Sequence, residues 1–154
     1  MKNPRKKIII VDDNASYLAI VRNLLKSFYD VYPAPSADKL FAIIEKFIPD
    51  LILLDVIMPE MNGFEALLHM KENPRYKDIP VVFLTSKDDE DSAEKGLDIG
   101  AADYVTKPFS GPLLLRRISN VLLIEQQKRD LQSGSVIINE LREQLEYYSA
   151  RNEK

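Results

Sequence analysis

Apolar residues along this chain come in two alternating kinds of segment. Lys7–Val11 (Lys-Ile-Ile-Ile-Val) is a short β-branched run without a polar face, which predicts a strand covered on both sides. Asp12-Asp13-Asn14 then offers N-cap chemistry, and Leu18, Val21, Leu25 and Phe28 recur at helical spacing, predicting a helix over Ala15–Tyr29. Asp30–Pro33 reads as a brief second strand stopped by Pro33 and Pro35, and Ser36 caps a helix carrying Leu40, Ile43, Ile44 and Phe47. Pro49-Asp50 leads into Leu51–Leu54, a wholly apolar strand that ends at Asp55; Pro59-Glu60-Met61-Asn62-Gly63 is turn chemistry. Phe64, Leu67, Leu68 and the aliphatic stem of Lys71 mark a third helix, closed by Asn73-Pro74. Ile79–Thr85 is a fourth strand. Asp88–Gly100 reads as an acidic helix with Ala93, Leu97 and Ile99 as its few buried candidates, and Ala102–Thr106 as a fifth strand ending at Lys107-Pro108. From Leu113 onward the pattern is helical.

Strand and helix alternate five times, which implies α/β architecture: a doubly wound parallel sheet with right-handed crossovers and helices on both faces. In such open sheets ligands bind beyond the carboxyl ends of the strands. The unusual polar residues sit there. Asp12 and Asp13 follow the first strand, Asp55 ends the third, Thr85 ends the fourth and Lys107 follows the fifth.

Composition narrows the chemistry. With 45% apolar residues in 154, a domain of this length buries roughly 68–70% of its unfolded surface and needs no staples. Zero cysteines exclude a disulfide scaffold, thiol catalysis and a Cys-ligated zinc. A single histidine, His69, argues against a His-based metal cluster or a Ser/His triad; mid-helix beside Lys71 and Glu72, it reads as a surface residue. No apolar run reaches the roughly 18 residues of a membrane span, and the run after the basic Met1–Lys7 stops at Val11, too short for a secretory signal. Neither membrane insertion nor secretion is expected, and the chain reads as cytoplasmic. A net charge of −3 gives no reason to expect direct nucleic-acid contact.

Three carboxylates, a hydroxyl and an ammonium at one sheet edge pose an electrostatic problem. The carboxylates raise one another's pKa unless a cation intervenes, and a hard divalent metal such as Mg²⁺ suits all-oxygen ligation. A metal on Asp13 and Asp55, the Lys107 charge and the Thr85 hydroxyl together suit phosphoryl transfer, with Asp55 as the nucleophile that forms an acyl phosphate. Taken singly, each residue has a plainer explanation: Asp12-Asp13 as a helix N-cap, Asp55 as a turn residue, Thr85 as a local hydrogen-bond donor, Lys107-Pro108 as ordinary loop. Joint placement at successive strand ends favours the site.

The segments Ile8-Ile9-Ile10-Val11-Asp12-Asp13, Pro49-Asp50-Leu51-Ile52-Leu53-Leu54-Asp55, Met58-Pro59-Glu60-Met61-Asn62-Gly63, Thr85-Ser86, Gly100-Ala101-Ala102-Asp103-Tyr104 and Lys107-Pro108-Phe109 stand in order and spacing. From about Lys6 to about Leu123 the chain resembles the receiver domain of two-component response regulators, the CheY-like family. The resemblance implies a flavodoxin-like five-stranded sheet of order 2-1-3-4-5 with five helices. It implies Asp55 as phosphoacceptor, Asp13 as direct ligand of Mg²⁺ (or Mn²⁺), Asp12 assisting through water, and the Ile57 backbone carbonyl as the third protein ligand. Thr85 matches the switch hydroxyl, Tyr104 the aromatic that swings inward when Thr85 moves, and Lys107 the phosphoryl-binding lysine, with a cis bond to Pro108. Ser86 leaves room for the donor and Gly63 fits the turn into the third helix. The implied partner is a histidine kinase or a histidine phosphotransfer protein. The implied response is a shift of the surface made by the fourth helix, fifth strand and fifth helix, which controls an output domain or partner. On this reading the module is not an enzyme beyond its own phosphorylation and dephosphorylation. Ile57 and Lys87, two residues past Asp55 and Thr85, vary in the family; an apolar Ile57 cannot orient attacking water and predicts slow loss of phosphate.

A receiver is expected over residues 6–123 and a helical extension over 124–154. In the extension, Ile124, Gln127, Leu131, Gly134, Ile138, Leu141, Leu145 and Tyr148 follow the 4-3 spacing of a coiled-coil seam. Ser133-Gly134-Ser135 would break or kink it, giving one long helix or two. The extension is expected to form a homodimer together with the fifth helix, the alternative being that it folds back on its own domain. The end at Arg151-Asn152-Glu153-Lys154 fits a stand-alone regulator or a piece of a longer protein.

Two rival functions use related parts. A haloacid-dehalogenase-like aspartyl-phosphate phosphatase also places Asp at a strand end, but needs a second acid where Ile57 stands. A flavodoxin-like FMN-binding module needs a Ser/Thr/Gly-rich phosphate loop where Asp12-Asp13 would repel the cofactor. No Gly-x-x-x-x-Gly-Lys motif occurs, which excludes a P-loop.

Overall fold

A computed structural model describes residues 4–86 and 90–152. The elements run β1 (Lys7–Val11), α1 (Ala15–Leu25), β2 (Asp30–Ala34), α2 (Ala37–Lys46), β3 (Leu51–Asp55), α3 (Gly63–Lys71), β4 (Val81–Ser86), α4 (Glu90–Ile99), β5 (Asp103–Lys107) and α5 (Gly111–Asn152). All strand pairs are parallel, and the sheet order is β2-β1-β3-β4-β5, as the sequence implied. Two compact units are present, Met1–Val121 and Leu122–Lys154.

The central strands follow from their composition. Ile8, Ile9, Ile10 and Val11 of β1 and Leu51–Leu54 of β3 are wholly buried, so both faces of the sheet are covered. Each such side chain contributes about 1.5–3 kcal/mol relative to exposure. Leu40 and Ile44 of α2 and Ala66, Leu67 and Met70 of α3 cover one face together with Phe83 of β4. Leu25 of α1 and Leu114 and Ile118 of α5 are buried as well.

Several boundaries differ from the sequence reading. β2 continues through Pro33 to Ala34 because it is an edge strand. Asp30 N–H donates to Lys6 and Asp12 N–H to Ala34 O, so by alternation Pro33 turns its ring nitrogen away from β1, where no ladder donor is needed. α1 stops at Leu25; Phe28 and Tyr29 donate back to Leu25 O in a turn, which leaves Phe28 exposed. In α3 the inward residues are Gly63, Phe64, Ala66, Leu67 and Met70, and Leu68 is exposed. α4 sets Ala93 and Gly96 inward, with Leu97 exposed; Gly96 lies so close to the Phe83 ring that an added Cβ would stand 2.6 Å from it. The expected start of this helix at Asp88 lies outside the described residues. α5 passes through Ser133-Gly134-Ser135 without a break, so the segment from Leu113 to Tyr148 is one helix.

Candidate functional site

Parallel strands deliver all their carboxyl ends to one edge, which brings the five sequence-separated residues together. Val11 pairs with Leu54, Asp55 with Leu84 and Thr85 with Thr106, so Asp12, Asp55, Thr85 and Lys107 lie side by side at the carboxyl ends of β1, β3, β4 and β5. Among the described residues, the buried polar or charged side chains are Asp12, Asp55 and Thr85. Burial of polar groups is costly unless they are hydrogen-bonded or paired, and all three cluster at this edge.

Carboxylate oxygens of Asp12, Asp13 and Asp55 lie within 4.8 Å of one another. Lys107 Nζ donates to Asp12 Oδ2 at 2.8 Å and approaches Asp55 Oδ1 at 3.5 Å. Neither Asp12 nor Asp13 is the N-cap of α1. Asn14 holds that position, its side chain accepting from Ser16 N–H at 2.9 Å and Tyr17 N–H at 3.2 Å. Asp12 Oδ1 accepts from Asn14 N–H at 2.9 Å, which fixes the carboxylate's orientation.

Burial is the largest influence on Asp55 and, with the Asp12 charge, raises its pKa to about 6 against the lowering effect of Lys107. Burial acts on Lys107 in the opposite sense, but the Asp12 hydrogen bond and the two carboxylate charges outweigh it and raise its pKa. One ammonium thus pairs with two carboxylates, and a third, Asp13, stands beside them. A compact, all-oxygen donor set with excess negative charge and a raised acid fits a hard divalent cation.

Thr85 Oγ1 is buried and has no hydrogen-bond partner among the described residues. Tyr104 lies on β5 opposite Phe83, two positions before Thr85 on the neighbouring strand, and is 36% exposed. The Ile57 side chain is exposed beyond Asp55, and Ser86 is exposed beyond Thr85. Lys87 lies outside the described residues. The Lys107–Pro108 bond is cis. Gly63 has a steric reason: an added Cβ would collide with the Asp55 carbonyl oxygen, while its N–H donates to Val56 O at 2.8 Å. Glycine therefore lets the loop carrying Ile57 fold close against the Asp55 strand end. α3 begins there with an Asn62/Glu65 capping box. His69 is an exposed helix residue, edge-on to Phe41.

One site residue escaped the sequence reading. The ring of Tyr17, on α1, stands 4.2 Å from Lys107 Nζ and meets Phe109 edge-on at 6.2 Å. Its only sequence signal is an aromatic one helical turn past Asp13, a spacing shared with ordinary core residues.

The fold and this edge define a class: a doubly wound α/β module with an acidic pocket and a facing lysine at its topological switch. Residues 8–119 match the response regulator receiver domain model, and the chain belongs to that family, the receiver module of two-component signal transduction. It is 38% identical over 133 residues to a probable cyclic di-GMP phosphodiesterase of Vibrio cholerae, covering 86% of this chain and 29% of that protein. It is 34% identical over 153 residues to the alkaline phosphatase synthesis transcriptional regulatory protein PhoP of Bacillus subtilis, covering 94% and 63%. Among solved structures it resembles the chemotaxis protein CheY4 of Vibrio cholerae, with a TM-score of 0.71, 30% identity, and 76% and 98% coverage. The chain thus spans less than two thirds of either curated relative. Family membership displaces the phosphatase and flavin-binding readings. No helix among the described residues is long and apolar enough to cross a membrane.

Proposed function

We propose that Asp55 takes a phosphoryl group from a phosphohistidine on a histidine kinase or phosphotransfer protein. An ionised Asp55 oxygen forms the new P–O bond as the donor's P–N bond breaks, and the departing imidazole keeps the electron pair and takes a proton from solvent. Lys107 neutralises charge on the transferred group. Thr85 Oγ1, which has no partner among the described residues, supplies a hydroxyl to a phosphoryl oxygen. Asp12, Asp13, Asp55 and the Ile57 carbonyl would hold Mg²⁺ (or Mn²⁺), which supplies positive charge to the phosphoryl oxygens. The observation that carries this reading is the gathering of three carboxylates within 4.8 Å of one another, two of which, Asp12 and Asp55, pair with the Lys107 ammonium.

Phosphorylation adds about −1.5 to −2 charge at Asp55. Thr85 moves toward that charge, Tyr104 turns into the space left, and the α4-β5-α5 surface changes its preferred state to control an output domain or partner. The module is then a regulator without an external turnover substrate, and a kinase partner of this kind places it in the cytoplasm. Incubation with acetyl phosphate and Mg²⁺, read by intact mass, should add one phosphoryl group to the native chain and none to Asp55→Asn. Labelling of the variant, or none of the native chain, would overturn the assignment.

A further inference from the structure

We infer that the segment Ile124–Tyr148 pairs with the same segment of a second copy as a parallel, in-register, two-stranded coiled coil. This stands apart from the phosphoryl chemistry and holds whether or not Asp55 is modified. In the helix, Ile124, Leu131, Ile138 and Leu145 recur every seven residues, with Gln127, Gly134, Leu141 and Tyr148 three further on. The six apolar members of that seam are 50–72% exposed. With Ile137 beside them, they would remove on the order of 1,500 Å² from water across two helices, within the range of a specific interface of about 1,200–2,000 Å².

The seam bears on the partner and its direction. Of its four layers, the one with Ile138 at the first core position and Leu141 at the second has the combination that favours two parallel strands. Parallel, in-register pairing sets the Gln127 amide against its own copy, where each can donate to the other. Antiparallel pairing centred on the segment would set Gln127 against Leu145, burying an amide unpaired. Along the flanks, parallel pairing sets Asp130 toward Ser135, Gln144 toward Ser149 and Ile137 toward the Arg142 stem, with no like charges opposed. At Gly134 an added Cβ would meet no atom within 4 Å, so this layer contributes little contact. The seam therefore has a weak half, Gln127 and Gly134, and a tight half, Ile138–Tyr148.

The absence of cysteine allows a direct test in the full chain. Gln127→Cys and Tyr148→Cys should each form disulfide-linked dimers under mild oxidation, and Glu143→Cys, on the outer face, should not. Sedimentation of the native chain should give a dimer, and Leu141→Glu with Leu145→Glu should weaken it by about 100-fold or more with far-UV circular dichroism of the receiver retained. A monomeric native chain, a dimer untouched by the double variant, or equal cross-linking at Glu143→Cys would overturn the coil. Cross-linking of Gln127→Cys to Leu145→Cys in a mixture, in preference to itself, would overturn the parallel register.

Discussion

The Tyr17 ring covers Lys107: Nζ lies 4.2 Å from the ring centroid while it donates to Asp12 at 2.8 Å. The ammonium is thus held between a carboxylate and an aromatic face, which leaves fewer directions for water to compete. A contact of this kind is worth about 0.5–2 kcal/mol.

Tyr17→Leu should slow phosphorylation of Asp55 by acetyl phosphate by about two- to thirtyfold, the range that the contact's energy allows. Tyr17→Phe, which keeps the ring face, should restore the native rate. Equal slowing in both variants would assign the effect to the hydroxyl instead.

Asp55 carries a pH-dependent cost in the metal-free protein. Its pKa is about 6 in the fold against an ordinary 3.8, so the folded chain binds this proton more tightly than the unfolded chain. The contribution to stability is fully present below the unfolded value and falls as pH rises through about 6. Asp55→Asn should therefore be more stable than the native chain at pH 8 in chelator, by about 2 kcal/mol in urea unfolding. The gain should shrink as the pH is lowered and vanish near the unfolded pKa. A variant no more stable than native at pH 8 would refute this.

Thr85 buries a hydroxyl that finds no partner among the described residues. Thr85→Val, close in shape, should stabilise the unphosphorylated chain by about 1 kcal/mol, because an unsatisfied buried group costs about 1–3 kcal/mol. The same variant should still be phosphorylated but lose the chemical-shift changes of Tyr104 that accompany phosphorylation of the native chain.

The Ile57 side chain is exposed two residues past Asp55 and offers no hydrogen-bonding group to water. Ile57→Asn should shorten the life of the aspartyl phosphate severalfold, measured as loss of the added mass after the donor is removed. Unchanged decay would show that water is oriented by another group.

Much of the fold was legible because the buried strands advertise themselves. Lys-Ile-Ile-Ile-Val and Leu-Ile-Leu-Leu-Asp can lie only in the middle of a covered sheet, and β1 and β3 occupy it. The site residues were legible as strand-end polar groups because the parallel topology sends them all to one edge. Exposed apolar residues misled: Phe28, Leu68 and Leu97 keep helical spacing yet point outward, since glycine and alanine do the packing in α4 and the chain has already turned by Phe28. Tyr17 was invisible because a cation–π contact joins residues 90 positions apart and leaves no local pattern. The N-cap role, shared in the sequence among three adjacent residues, falls to Asn14, which releases both aspartates for the pocket.

Pro33 has a consequence for how this chain behaves at high concentration. An outermost strand normally offers a row of donors and acceptors that a stranger's strand can zip onto, the first step toward fibrils. Along β2 that row is interrupted by a ring with nothing to donate. On this margin the sheet ends by design, and copies of the chain can crowd together without stitching their sheets into one.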